Sequence, residues 1–113
     1  MGRQQVSMSP AAADAALALG QQVRLARHDR KWTVAELAGR AGVSDRTVTA
    51  IERGLPSTSI GNAFNVAVAA GIPLFGTDSP ASLTGILAAR AELLALLPQR
   101  IRHAGGDDVD LNF

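Results

Sequence analysis

Between Ala35 and Gly54 the chain reads AELAGRAGVSDRTVTAIERG, two short helical patterns joined at one Ala-Gly-Val corner. Helices this short nucleate poorly in isolation and persist only when neighbours cover their apolar sides, so the corner demands a larger helical assembly around it. The rest of the chain fits that demand. It is 113 residues long, the size of one domain with short arms, and 47% hydrophobic with only four aromatic residues and many alanines. Small residues of high helix propensity favour close helix packing over a sheet, so the expectation is an all-α fold. With no cysteine, neither a disulfide framework nor a thiolate zinc site can hold it together, and packing must.

The pattern predicts five helices. The first runs from about Ala11 to Arg30, with Pro10 suited to a first turn and Leu17, Leu19, Val23, Leu25 and Ala26 as its apolar stripe. The second starts at Thr33, which pairs with Glu36 in a reciprocal capping box, and turns Ala35, Leu37, Ala38 and Ala41 inward. Gly42 stands where the chain must turn with positive φ, and Val43 plugs the corner. Ser44 caps the third helix, whose buried edge is Val48 and Ile51, and Gly54 with Pro56 closes it. A fourth begins at Ser59, buries Ala63, Phe64, Ala67 and Val68, and stops before Gly71 and Pro73.

Beyond the loop GTDSPAS, Leu83, Ile86, Leu87, Leu93, Leu94, Leu96 and Leu97 form a fifth helix, apolar around much of its circumference and ending at Pro98. Such a helix wants cover on two sides, which favours a two-fold interface over a completed monomer core. The tail then alternates Val109, Leu111 and Phe113 with Asp110 and Asn112, a period-two pattern that reads either as a loose end or as a short strand added to another chain. The chain thus divides into an N-terminal arm at 1–13, a helix-turn-helix domain at 14–76, a C-terminal helix and dimer contact at 77–99, and a tail at 100–113.

Net charge is only +1, but its distribution is uneven. From Gln22 to Arg53 seven basic residues face four acidic ones, gathering positive charge on the opening motif. If Val48 and Ile51 face inward, Asp45, Arg46, Thr49, Ala50 and Arg53 face outward, a short polar ridge of the size that enters a DNA groove. No apolar run approaches the roughly 20 residues of a membrane span, and the alanine-rich stretch near the start lacks a secretion leader, so a cytoplasmic protein without membrane association is expected. His28 and His103 have no companions at ligand spacing, and no nucleophile-base-acid set is present; no metal, cofactor or catalytic role is read here. Trp32 reads as core between the first two helices rather than as a stacking platform for bases.

Over Leu19 to Phe75 the sequence resembles the phage-repressor-like helix-turn-helix family, also called the xenobiotic-response-element family. The segment WTVAELAGRAGVSDRTVTAIERG carries the Glu-Leu-Ala, the Ala-Gly-Val-Ser turn and the Ile-Glu-x-Gly ending in register. The resemblance implies that Ser44 to Arg53 is a recognition helix in the major groove of a palindromic operator, read by a homodimer with half-sites roughly 34–36 Å apart. On that footing Asp45, Arg46, Thr49 and Ala50 are the base readers, Arg46 foremost because a guanidinium meets guanine O6 and N7 with two hydrogen bonds. Thr33, Ser44, Thr47, Arg53, Ser57 and Thr58 are the phosphate candidates. Arg27 and Glu52 match a family pair that bridges the first and third helices. The family commonly has glutamine where this chain has Val34, which removes one phosphate clamp or brace.

The tail, the size and the stretch GIPLFG together resemble the HipB-like antitoxins, small dimeric regulators that repress their own operon and hold a HipA-type kinase toxin inactive. This implies a sequence-specific DNA-binding regulator acting as an autorepressing antitoxin, with Val109, Leu111 and Phe113 as partner-binding residues. Two other readings stay open: a stand-alone or phage-type repressor with no toxin partner, and a protein-interaction module that has lost its DNA.

Overall fold

A hydroxyl side chain opens every helix. In the computed structural model, which describes residues 7–101, five α-helices and no strand occur among the described residues: α1 (Pro10–Asp29), α2 (Val34–Ala41), α3 (Asp45–Glu52), α4 (Ile60–Ala69) and α5 (Pro80–Ala95). Ser9, Thr33, Ser44, Ser59 and Ser79 sit in extended conformation just before them, each accepting a hydrogen bond from the backbone N–H three residues on. Each cap satisfies one of the four N–H groups a helix start leaves without a partner. The capping box of α2 is only half as expected. Thr33 accepts from the Glu36 N–H at 3.1 Å, but the Glu36 carboxylate meets the Thr33 hydroxyl, at 3.4 Å.

The chain forms two compact units that divide between Leu74 and Phe75, two residues before the boundary read from sequence. The first unit holds α1 to α4. Because α1 opens at Pro10, residues 10–13 are helix rather than arm. Its core draws Val23 from α1, Leu37 and Ala38 from α2, Val48 and Ile51 from α3, Val66 and Ala67 from α4, and Ala70 and Ile72 from the turn after α4. Leu37, Val23, Val48 and Val66 are its largest fully buried side chains, each stabilising the fold by about 1.5–3 kcal/mol relative to exposure.

The pattern misjudged several inward faces. Leu17 and Leu25 of α1 are exposed while Gly20 is buried, Ala35 of α2 is exposed while Val34 packs against the core, and Phe64 and Val68 of α4 lie outside the buried stripe. Gly20 explains the first. A Cβ there would stand 2.7 Å from the Glu52 carbonyl oxygen and 2.9 Å from its carbon, so glycine is what lets α1 and α3 cross in backbone contact. Gly54 does the same from the far end of α3: at φ +69° its backbone turns against Leu17 of α1.

The second unit contains α5, opened by Ser79 with Pro80 in its first turn. None of the residues of α5 is buried. Leu87, Leu93, Leu94, Leu96 and Leu97 are all more than half exposed.

Candidate nucleic-acid interface

What α3 presents to solvent depends on how firmly its other side is held. α1, α2 and α4 all pack on it, leaving Val48 0% and Ile51 4% exposed. At its start the chain turns at Gly42, in the left-handed conformation at φ 71°, and Val43 donates to the Ala38 carbonyl at 3.0 Å, fixing the angle between α2 and α3. Across its other end lies the Arg27–Glu52 pair. Arg27 Nε donates to Glu52 Oε2 at 2.7 Å and Nη2 to Oε1 at 3.0 Å, while Nη1 donates to the Trp32 carbonyl at 3.0 Å. Both side chains are about nine-tenths buried. The hydrogen bond to Glu52 raises the Arg27 pKa above the ordinary arginine value, burial opposing it and the Glu52 charge adding to it. One guanidinium therefore ties together α1, the link to α2, and α3.

With that side fixed, Asp45, Arg46 and Arg53 are exposed and Thr47, Thr49 and Ala50 are half-buried. No ion pair among the described residues engages Asp45, Arg46 or Arg53, so their charges remain available to a ligand. Ser44 and Thr47 are partly committed. Ser44 Oγ accepts from the Thr47 N–H at 3.1 Å and lies 2.9 Å from Thr47 Oγ1, so of the two hydroxyl hydrogens one is used between them and one is left to donate outward. Thr33 is likewise occupied as the cap of α2.

Beside α3 runs a groove of about 260 Å³. Arg46, Thr47 and Ala50 line one wall, and Ser57, Thr58, Ser59 and Asn62 the other. It thus gathers two of the residues expected to read bases with three of those expected to hold phosphates. Asp45, Thr49, Ser44 and Arg53 lie on or beside α3 but do not line it, and neither does Thr33. Ser59 and Asn62 were not anticipated: Ser59 reads from sequence only as a helix start, and its pairing with the Asn62 N–H, at 3.2 Å, is the local signal that places both at one spot.

Trp32 is half-buried against the core, with two cations the sequence did not point to, Arg40 at 4.2 Å and Arg30 at 5.4 Å from the ring centre. Val34, where the family commonly has glutamine, packs its apolar side chain on the core. Among the described residues no group of three or more histidine, cysteine, aspartate or glutamate side chains could hold a metal ion, and no helix is long and apolar enough to cross a membrane. His103 and the tail residues Val109, Leu111 and Phe113 lie outside the described residues.

Residues 18–73 match a family described as a helix-turn-helix domain. Two solved structures resemble the chain with a TM-score of 0.50 at 19% identity, each match covering 68% of this chain and 99% of the other. One is described as MDT Protein, and the other is a chain in a structure of a HipA-HipB-O2-O3 complex. At that identity the likeness speaks for the fold alone. No curated protein matches the chain significantly.

Proposed function

The chain belongs to the helix-turn-helix domain family, and from that premise we propose that it is a sequence-specific, DNA-binding transcriptional regulator, working as a cytoplasmic homodimer on a palindromic operator and serving as the autorepressing antitoxin of a HipBA-like pair. It needs no cofactor and performs no catalysis. The observation that carries the DNA reading is the two-sidedness of α3: an inner edge sealed by three helices, and an outer face of unpaired charge and hydroxyls beside a polar groove.

In this reading α3 enters the major groove. Arg46 donates two hydrogen bonds to a guanine edge, Asp45 accepts from a cytosine amino group or braces Arg46, and Thr49 and Ala50 meet thymine methyls. The spare hydroxyl hydrogen of the Ser44–Thr47 pair, the hydroxyls of Ser57 and Thr58, and the Arg53 cation hold the flanking phosphates, and Thr33 joins them by turning its hydroxyl hydrogen away from the Glu36 carboxylate. The Arg27–Glu52 pair takes no part in contact. It holds the angle at which α3 is presented.

Dimerisation falls to α5, whose Leu87, Leu93 and Leu94 are all more than half exposed. The antitoxin role rests on the resemblance of the tail, the size and GIPLFG to the HipB-like antitoxins, a reading with which the fold shared with a chain of a HipA-HipB-O2-O3 complex agrees, and Val109, Leu111 and Phe113 would then engage the kinase-type toxin.

A gel shift of the full chain on its own promoter, at low and high salt, tests the first part. Sequence-dependent binding that weakens as salt rises is expected, since phosphate contacts release counterions. Binding indifferent to both sequence and salt would instead mark a protein-interaction module. For the second part, the product of the neighbouring gene should co-elute with the chain and cease to do so when residues 109–113 are deleted. Absence of any association leaves a stand-alone repressor.

A further inference from the structure

Trp32 stands in the link between α1 and α2, and Arg27 fixes its backbone on both sides. The Trp32 N–H donates to the Arg27 carbonyl at 3.0 Å, and the Trp32 carbonyl accepts from Arg27 Nη1 at 3.0 Å. Just before it Lys31 takes φ 57°, a left-handed conformation that a side chain rarely adopts, so the link is held by its neighbours and not by its own preference. The ring of Trp32 carries two guanidinium groups, that of Arg40 from α2 at 4.2 Å and that of Arg30 at 5.4 Å from its centre. Arg30 also lies on the turn after α4, where a Cβ at Gly71 would stand 3.2 Å from the guanidinium carbon. Neither arginine has an ion-pair partner among the described residues. Glu36, one helical turn before Arg40, turns its carboxylate to the Thr33 hydroxyl at 3.4 Å instead. α2 packs on α3 and α4 but scarcely on α1. Side chains of the link, rather than helix against helix, therefore set how α2 lies against α1.

We propose that Arg30 and Arg40 are positioning residues for DNA binding. Stacked on Trp32, they set the angle of α2 against α1, and through the Gly42 corner the angle of α3, without touching the duplex. This role rests on the DNA reading of α3. Placement favours it over a direct phosphate contact. α4 is 10 residues long, which is about 15 Å; its start, capped by Ser59 and holding Asn62, lines the polar groove, whereas Gly71, on which Arg30 lies, follows its far end. A cation over an exposed aromatic face shifts an equilibrium about two- to fivefold, so losing the nearer stack should be visible in affinity.

The test uses the full chain and a duplex from its own promoter. Arg40 is exposed, so Arg40→Gln leaves the core intact, and because Trp32 is the only tryptophan its emission reports the lost stack directly. The variant should bind about fivefold more weakly, by the same factor on base-substituted duplexes, with the slope of log affinity against log salt unchanged. Arg30→Gln should act in the same direction by a smaller factor, its guanidinium standing farther from the ring. Trp32→Leu should weaken binding at least as much as Arg40→Gln, Trp32→Phe should recover most of that loss, and adding Arg40→Gln to Trp32→Leu should cost nothing further. If Arg40→Gln binds like the native chain, or costs as much without the ring as with it, positioning through Trp32 is overturned and the DNA reading stands. A salt slope reduced by about 0.9 also overturns it, because Arg40 then neutralises a phosphate itself. Should the native chain bind no promoter fragment at all, positioning and the DNA reading fall together.

Discussion

α3 and α5 draw on similar apolar material and end in opposite situations. Val48 and Ile51 of α3 are 0% and 4% exposed, whereas α5 has no buried residue and its Leu94 is 64% exposed. The difference lies in what surrounds them. α3 is short and needs α1, α2 and α4 to exist, and that enclosure is what leaves one polar face rigidly presented. α5 is long enough to form with little help, so its leucines need not be spent on its own folding. A helix whose inner side is held presents its outer side at a fixed angle; one whose apolar side is bare leaves that side uncovered.

The contrast is broken most forcefully by removing what locks α3. Glu52→Ala leaves Arg27 buried without its partner and should destabilise the fold by about 3–5 kcal/mol, measured by denaturant unfolding. The Arg27 pKa is raised by folding, so its contribution is complete at any pH below its unfolded value and is lost only as pH climbs through the still higher folded value. The cost of Glu52→Ala should therefore be unchanged between about pH 7 and pH 9. A cost that fades within that window would show that something other than this pair holds α3 to α1.

Gly20→Ala comes next. Alanine is the better helix former by about 1 kcal/mol, yet here its methyl would press on the backbone carbonyls of α3, which cannot rotate away. A net loss of about 1–3 kcal/mol is expected, and with it a fall in DNA affinity as α3 is displaced. A variant more stable than the native chain would mean that α1 and α3 separate easily and that the rigidity argued for α3 is overstated.

Gly20 also shows where sequence reading stops. Caps and corners are written in neighbouring residues: Thr33 with Glu36, Ser44, and Gly42 with its positive φ obey backbone rules that operate over three or four positions, and all three stand at the expected places. Gly20 has no such local meaning. Its reason is a pair of carbonyls on a different helix, at Ile51 and Glu52, and a glycine inside a helix otherwise reads as a weakness. The inward face of α4 was misjudged for a related cause. In IGNAFNVAVA apolar residues fall on more than one face, so periodicity does not choose between Phe64 with Val68 and Val66 with Ala70, the residue that follows; packing against α2 and α3 chooses. The groove was legible on its α3 side and in Ser57 and Thr58 but not in Ser59 and Asn62, since Asn62 belongs to another helix and joins Arg46 through the fold rather than through spacing.

On the reading surface itself, Arg46→Ala should cost about 1–3 kcal/mol of discrimination at one base pair and leave the others nearly unchanged, whereas Arg53→Ala should weaken binding to all sequences alike. Affinities across a set of single-base operator variants separate the two profiles. Identical profiles would mean that α3 contacts only phosphates, and its enclosure by three helices would then serve orientation without readout.

The smallest effect on the fold is expected in α5. Leu94 stands mostly in water, so Leu94→Ala removes little apolar area that folding had buried and should change the stability of the isolated chain by less than about 0.5 kcal/mol. Its cost should surface only on association. Leu87 and Leu94 lie seven residues apart on one face of α5, and a second copy that covers them would be released at higher concentration by the variant than by the native chain. Sedimentation over a dilution series, paired with unfolding at the most dilute point, reads both quantities. A loss of several kcal/mol at that dilution would place Leu94 on the same footing as the residues beneath α3, because only a side chain already enclosed within its own chain can cost that much when shortened.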